Sequence, residues 1–334
     1  MTIAEPRTTA ARYDVVGIGN ALVDVISHAG DDFIERHALV KGSMTLVDTD
    51  RALQLYKALG GAIEMSGGSA ANTMCGVASF GGRAAYIGKV NAGDDLGQVF
   101  GHDLRAVGVS FHGGSGEAEV PTGRCIIVVT PDAERTMNTY LGVSSLLSPI
   151  DLDTTVIADG AVLYMEGYLF DRDDAKAAFR LAARTAHAHG RKVSLTLSDS
   201  FCVDRHRTDF RALVAEEVDI LFGNRDELLS LYETTSFDEA VAAVRAECGL
   251  TVCTIGAEGC LVISEGEVLH VPARAVDKVL DTTGAGDLFA AGFLFGYTRQ
   301  ASLADCASFG AIAAAEVIGH VGPRPLVELR TLTH

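Results

Sequence analysis

The first apolar run, Tyr13 to Gly19 (YDVVGIG), reads as a short buried strand ending in glycines. From Val23 to about Asp48 the alternation loosens and no long helical stripe forms. Gly67 to Phe80, rich in Ala and other small residues, reads as a helix, Ala84 to Val90 as a strand and Asp94 to Val107 as a helix. Cys125 to Thr130 (CIIVVT) is strongly β, and Met137 to Leu141 is placed to pair with it across a Pro131-Asp132 turn.

Beyond Ile150 strands and helices alternate. Strands are expected at Ala161 to Met165, Lys192 to Leu197, Ile220 to Phe222, Leu250 to Ile255 and Cys260 to Ser264. Helices are expected at Asp173 to His189 (closed by Gly190), Phe210 to Glu217, Asp226 to Tyr232, Phe237 to Glu247, Gly286 to Gly296 and Leu303 to Ile318. This pattern implies βαβ units and an α/β fold, a mostly parallel sheet covered by helices on both faces. The β-rich stretches at about 22–62 and 108–142 interrupt it. They are expected to form a small lid sheet, leaving a large domain of about 13–21, 63–107 and 143–330.

Composition narrows the function classes. The 334 residues are 48% hydrophobic and 21% charged, an ordinary globular balance with room for a full core. A net charge of −17 excludes a nucleic-acid partner, which needs clustered Lys and Arg. The seven cysteines contain no CxxC pair, and an odd number cannot all pair internally. Met1 to Arg12 is polar, and no run approaches 18 apolar residues. A cytoplasmic protein with buried thiols and no membrane partner is expected.

Several common signatures are missing. Gly82 to Lys89 has the wrong spacing for a P-loop, and Gly17-Ile-Gly19 meets Leu22 where a dinucleotide fingerprint wants its third glycine. HExxH, GxSxG and cysteine–histidine zinc spacing do not occur. What remains is Asp281-Thr-Thr-Gly-Ala-Gly-Asp287, opening an apolar helix. Glycines let the backbone approach a ligand, and free N–H groups at a helix start bind anions. A carboxylate beside such an anion hole suits removing a proton from a hydroxyl that attacks a phosphoryl group. The plainer alternative is a capping aspartate after a glycine turn.

The string DTTGAGDLFAAGFL closely resembles the C-terminal signature of the ribokinase-like (PfkB) carbohydrate and nucleoside kinases. A second signature of that family is similar to Gly67-Gly68-Ser69-Ala70-Ala71-Asn72, some 200 residues earlier, and the likeness runs from Tyr13 to about Pro325. The resemblance implies a ribokinase-like fold with a β-rich lid, Asp287 as catalytic base, and Gly284, Ala285 and Gly286 as anion hole. It makes Asp24 the ligand of substrate hydroxyls, a role two carboxylate oxygens suit, with Asn20, Gly67, Gly68 and Asn72 beside it. Arg135 corresponds to an arginine that meets the transferring phosphate, and guanidinium geometry fits that contact.

On the nucleotide side the resemblance implies ATP with Mg2+. Asn224-Arg-Asp-Glu227 is similar to the family's NxxE motif, whose glutamate organises magnesium through water, although a capping box explains the same residues. Thr254, Gly256 and Gly259 resemble the family's ATP loop, or read simply as a hairpin turn. Thr283 and Asp281 border the same region, and Asp281 is a candidate ligand for a monovalent cation such as K+. Within the family, GNALVD, ERTMNTYLGVS, SDSFCVDRHR and AAEVIGHVGPRP are most similar to bacterial adenosine kinases. The implied reaction is transfer of the ATP γ-phosphoryl group to the 5′-hydroxyl of adenosine. A ribose, ketose or other nucleoside kinase, or an idle nucleoside-binding regulator, stays open. Tyr168, Phe170 and Phe201 are candidates to face the base, with Phe170 expected in the site, or are core. The protein is expected to be a monomer or a homodimer.

Overall fold

The computed structural model describes residues 10–115, 119–132 and 134–333. Of the polar N-terminal stretch, residues 1–9 lie outside the described residues. The chain begins with β1 (Tyr13–Ile18), β2 (Leu22–His28), α1 (Asp31–Arg36), β3 (Met44–Leu46), α2 (Thr49–Ala58), β4 (Ile63–Gly67) and α3 (Ser69–Ser79). It continues through β5 (Ala84–Val90), α4 (Asp95–Ala106), β6 (Ser110–Ser115), β7 (Gly123–Val129), β8 (Arg135–Tyr140), α5 (Thr154–Ala158), β9 (Gly160–Glu166) and α6 (Asp173–Ala188). The next stretch is β10 (Lys192–Thr196), α7 (Ser200–Glu217), β11 (Ile220–Asn224), α8 (Arg225–Tyr232), α9 (Phe237–Glu247) and β12 (Leu250–Thr254). Then come β13 (Cys260–Ser264), β14 (Val268–Val271), α10 (Ala285–Tyr297) and α11 (Leu303–Val317).

Nine strands form one sheet in the order β14-β13-β12-β11-β10-β9-β1-β5-β6. It is parallel from β6 to β12, and β13 and β14 add an antiparallel edge. Every residue of β1 is buried, as a central parallel strand requires. Its side chains alternate between two cores. Val16 and Ile18 join Phe179, Phe210 and Leu228 of α6, α7 and α8. Val15 joins Ala71, Met74, Phe100 and Phe293 of α3, α4 and α10 on the other face. β1 pairs with β5 on one side and β9 on the other, so the winding reverses there and leaves a crevice at the carboxyl ends of β1 and β9.

A second sheet, in the order β3-β8-β7-β2-β4, stands over that crevice. Strand alternation gives it two faces. Val23, Val25 and Val128 are buried among the protein's own apolar side chains. Register aligns Asp24 with Cys125 and Cys125 with Thr139 on the opposite face, where Ile127 and Met137 also lie.

Sheet membership differs from the sequence expectation in two places. β6, expected in the small sheet, pairs parallel with β5 in the large one. Its sequence SFHGGS carries little β signal, and the α4 crossover decides its place. β4, expected in the large domain, pairs antiparallel with β2 in the small sheet. The loose stretch after Val23 holds α1 and α2 as well as strands, and α7 starts ten residues earlier than expected, at Ser200. Asp199 caps α7 by accepting from Cys202 N at 2.6 Å, and a non-helical His206 kinks it. All seven cysteines are free and buried. Among the described residues no helix is long and apolar enough to cross a membrane.

Candidate active site

A cavity of about 1190 Å³ runs between the small sheet and the carboxyl ends of β9 to β12. Its floor is the start of α10. Gly284 caps that helix with φ +80°, and a Cβ there would also press into Pro323 at 2.8 Å, so only glycine fits. Among the described residues no acceptor pairs with the amides of Gly284, Gly286 or Asp287. These donors at a helix start form an anion-binding cradle. A Cβ on Gly286 would meet nothing within 4 Å, which leaves the cradle open.

Asp287 sits in the first turn, where its carboxylate is gripped from α3. Ser69 Oγ donates to Oδ1 at 2.6 Å and Asn72 Nδ2 donates to Oδ2 at 3.1 Å. The grip depends on close helix packing: a Cβ on Gly76 would come within 2.6 Å of Ala291 on α10. Burial raises the Asp287 pKa, and the hydrogen bonds from Ser69 and Asn72 and the charge of Arg324 pull it back. A buried carboxylate of raised pKa can accept a proton, and the free amides beside it can bind an anion.

Asp24 faces the same cavity from β2. Burial pushes it to about 6, against the lowering influence of Arg324 and Arg135. A Cβ on Gly67 would touch the Asp24 carboxylate at 2.5 Å, so β4 can lie against it only through glycine. At the switch between β1 and β9, Glu166 accepts from Asn20 Nδ2 at 2.9 Å, Asn20 N at 3.2 Å and Ala70 N at 2.8 Å. It is 1% exposed, and burial drives it to about 7. Its acceptors tie the start of α3 to the end of β1.

On the opposite wall Asn224 and Glu227 form a reciprocal capping box at the start of α8, with Glu227 N donating to Asn224 Oδ1 at 2.9 Å and Asn224 N to Glu227 Oε2 at 3.0 Å. Both also line the cavity, so the capping box does not remove these residues from the site. Burial raises Glu227 to about 7. Among the described residues no three His, Cys, Asp or Glu side chains come together to hold a metal ion.

Of the residues expected from sequence, Asn20, Asp24, Gly68, Asn72, Asn224, Glu227, Thr254, Thr283, Gly284, Gly286 and Asp287 line the cavity. Ala285 opens α10 behind the cradle, and Gly67 packs on Asp24. Gly256 and Gly259, both at positive φ, shape the turn between β12 and β13 outside the lining. Asp281 accepts from Thr283 N and Gly322 N, both at 2.9 Å, and pairs with Arg135. The carboxylate considered for a monovalent cation is thus neutralised by a guanidinium. Burial opposes that charge, but the Gly322 and Thr283 hydrogen bonds and Arg135 hold the Asp281 pKa below its usual value.

Phe170 is a correction. It is 1% exposed, stacks on Phe210 at 4.4 Å and lies outside the cavity, because its 3-10 turn points it into the α6–α7 core. Tyr168 and Phe201 do line the cavity, and Phe201 is 74% exposed. Sequence reasoning missed Ser69, Glu166 and Arg324. Ser69 lies within the second glycine-rich signature, Glu166 is a lone acid ending an apolar strand (AVLYME), and Arg324 belongs to the quoted GPRP run.

The pfkB family carbohydrate kinase profile matches residues 56–329. The chain belongs to the pfkB family. It is a phosphotransferase with an alcohol acceptor, of an ATP-dependent kinase family. It is similar to the solved adenosine kinase of Sinorhizobium meliloti, with 52% identity, TM-score 0.88, and 96% of this chain and 98% of that one covered. A probable sugar kinase from Rhizobium etli CFN 42 superposes with TM-score 0.89 at 48% identity, over 96% and 98% of the two chains. Adenosine kinase 2 of Arabidopsis thaliana is 24% identical over 94% of this chain and 96% of its own.

Proposed function

We propose that the chain transfers the γ-phosphoryl group of ATP to the 5′-hydroxyl of adenosine. The observation that carries this reading is a buried carboxylate, Asp287, held by two donors beside free helix-start amides. In this reading Asp287 takes the hydroxyl proton, and the Gly284–Gly286 cradle stabilises charge on the transferring phosphoryl group. Asp24 accepts hydrogen bonds from the ribose hydroxyls, and Asn20 and Asn72 stand beside it. Leu22, Cys125, Ile127, Met137 and Leu141 offer an apolar wall suited to a flat base, more than a free sugar needs. The likeness to an adenosine kinase at 52% identity supports the same substrate.

ATP would lie toward Asn224, Glu227, Thr254 and Thr283. The cavity lining carries six carboxylates (Asp24, Glu166, Asp171, Asp199, Glu227 and Asp287) against one guanidinium, Arg205. A bare triphosphate is repelled there, which favours entry with Mg2+ bound; Glu227 would meet that ion through water. Among the described residues the buried Nε and Nη2 of Arg135 have no partner, two donors that fit a phosphate once the small sheet closes as a lid over the substrate. A monovalent cation would have to share Asp281 with Arg135.

The Rhizobium likeness favours a sugar kinase as the second reading. A coupled ATP-consumption screen over adenosine, guanosine, inosine, ribose and fructose separates the two. Highest kcat/KM for adenosine is expected; preference for a free sugar removes the substrate assignment and keeps the phosphotransferase.

A further inference from the structure

The segment after α11 reaches back into the site. Pro323 closes on Gly284, and Gly322 N holds Asp281. Between them and the C-terminus, Arg324 spreads its guanidinium over two elements. Nε donates to Asn72 Oδ1 at 2.8 Å, and Nη2 donates to Ser66 O at 2.6 Å and Ser66 Oγ at 3.2 Å. Ser66 is the last residue but one of β4 in the small sheet, and Asn72 sits one turn into α3 in the large domain. The only chain between them passes through Gly67 and Gly68, and Gly68 has φ +95°.

We propose that Arg324 is a positioning residue for phosphoryl transfer, acting on Asp287 through the amide of Asn72. The proposal rests on the reading of Asp287 as the base. A guanidinium has donors only, so whichever end of the Asn72 amide faces it must be the oxygen. That leaves the NH2 end for Asp287 Oδ2, where it donates at 3.1 Å. Without Arg324 one of the two groups that hold the amide in this orientation is gone, and only Asp287 itself opposes its reversal. Reversed, it would present its oxygen to the carboxylate and repel it.

The second effect is direct charge. Arg324 lowers the pKa of both Asp287 and Asp24, opposing their burial. The other groups around Asp287 are Ser69 and Asn72 on α3, Asp24 on β2, and Glu166, Tyr164 and Tyr168 on and after β9. Arg135 on β8 acts on Asp24. Among these, Arg324 is the cation that acts on Asp287 itself. Its charge favours the ionised base, and its hydrogen bond favours the amide turned toward it.

The test is the pH dependence of kcat/KM for adenosine in wild type, R324M, R324K, N72A, the double variant N72A/R324M, and D287N. In R324M the acidic limb moves to higher pH by about one unit, so kcat/KM measured on that limb falls roughly tenfold, the effect of about one pH unit on the ionised fraction. R324K restores the limb, since its charge remains, while recovering only part of kcat, because an ammonium cannot hold Asn72 and Ser66 with the same fork. The double variant loses less than the two single losses combined, because both act through one amide. Thermal unfolding of each variant separates these effects from misfolding, and R324K carries the test if R324M does not fold. A limb unmoved in R324M while D287N is inactive overturns the role of Arg324 alone. Losses that multiply independently in the double variant also overturn it. Turnover of D287N near the wild-type rate overturns the base assignment, and the role of Arg324 with it.

Discussion

Replacing Asp287 by Asn changes one atom of the site and little of its shape. The carboxylate accepts from Ser69 Oγ at 2.6 Å and from Asn72 Nδ2 at 3.1 Å. In the variant the amide oxygen still accepts from Asn72, and the Ser69 hydroxyl turns to accept from the new NH2 group, so both contacts survive. No cavity opens, and the two donors left over, the Ser69 O–H and the second N–H of the new amide, lie at the cavity wall where water reaches them. The loss is therefore confined to proton abstraction, worth about 10²–10⁴ in kcat. At roughly 1.4 kcal/mol per factor of ten, that is about 3–6 kcal/mol of transition-state stabilisation. Initial rates of ADP release in a coupled assay give kcat, and calorimetric titration gives the adenosine affinity, expected within a few-fold of wild type. The acidic limb of the rate profile, set by a carboxylate that burial pushes above its ordinary range, disappears as well. A kcat within tenfold of wild type, with the limb intact, refutes the assignment.

Asp24→Ala removes a buried acceptor facing the cavity and raises the KM for adenosine by about tenfold to a hundredfold, from about 1.5–3 kcal/mol per charged hydrogen-bonding group; an unchanged KM takes Asp24 out of the ribose site. Phe170→Ala lowers stability by about 3–5 kcal/mol in urea unfolding and leaves the adenosine KM unchanged, because the ring packs on Phe210. A raised KM at undiminished stability would contradict its core placement. Stability of the ligand-free protein falls as pH rises from about 4.5 to about 7. In that window folded Asp24, Glu166 and Glu227, at about 6, 7 and 7, keep protons that the unfolded chain has released at 3.8 to 4.5. His112, lowered by burial, works the other way near its usual 6.5, and the lowered Asp14, Asp219 and Asp281 act only at or below about 3.8. The thermal midpoint is thus higher at pH 5.5 than at 7.5, and the reverse order would contradict the burial of these carboxylates.

Where local pattern and packing agreed, the sequence predicted the elements closely. Ala84–Val90, Phe237–Glu247 and Cys260–Ser264 are bounded as expected, because each is an apolar or amphipathic run with clear ends. The first half of α7 (SFCVDRHRTD) was invisible, since Cys202 and Val203 are its only buried residues, Phe201 is exposed and the rest is polar. β6 was misassigned because glycines carry no pattern and its partner strand is what orders it. In the site, Asp287, Asn72 and Asp24 were legible through short signatures. Glu166 and Arg324 were not, because their partners lie 146 and 252 residues away and only the fold brings them together. Phe170 shows the opposite failure: its position after a strand matched a site residue, but the side chain turned inward.

The seven buried thiols have a practical consequence. Burial raises the pKa of every one of them, Cys125, Cys202 and Cys253 to about 12. Thiolate is therefore scarce near neutrality, and alkylating reagents react with the folded chain slowly. Six of these sulfurs report whole-body opening. Cys125, on the small-sheet wall of the cavity, reports something narrower, because a molecule seated against that wall covers it. Comparing its labelling rate with that of the other six distinguishes a filled cleft from a merely stable one, without any added dye or tag.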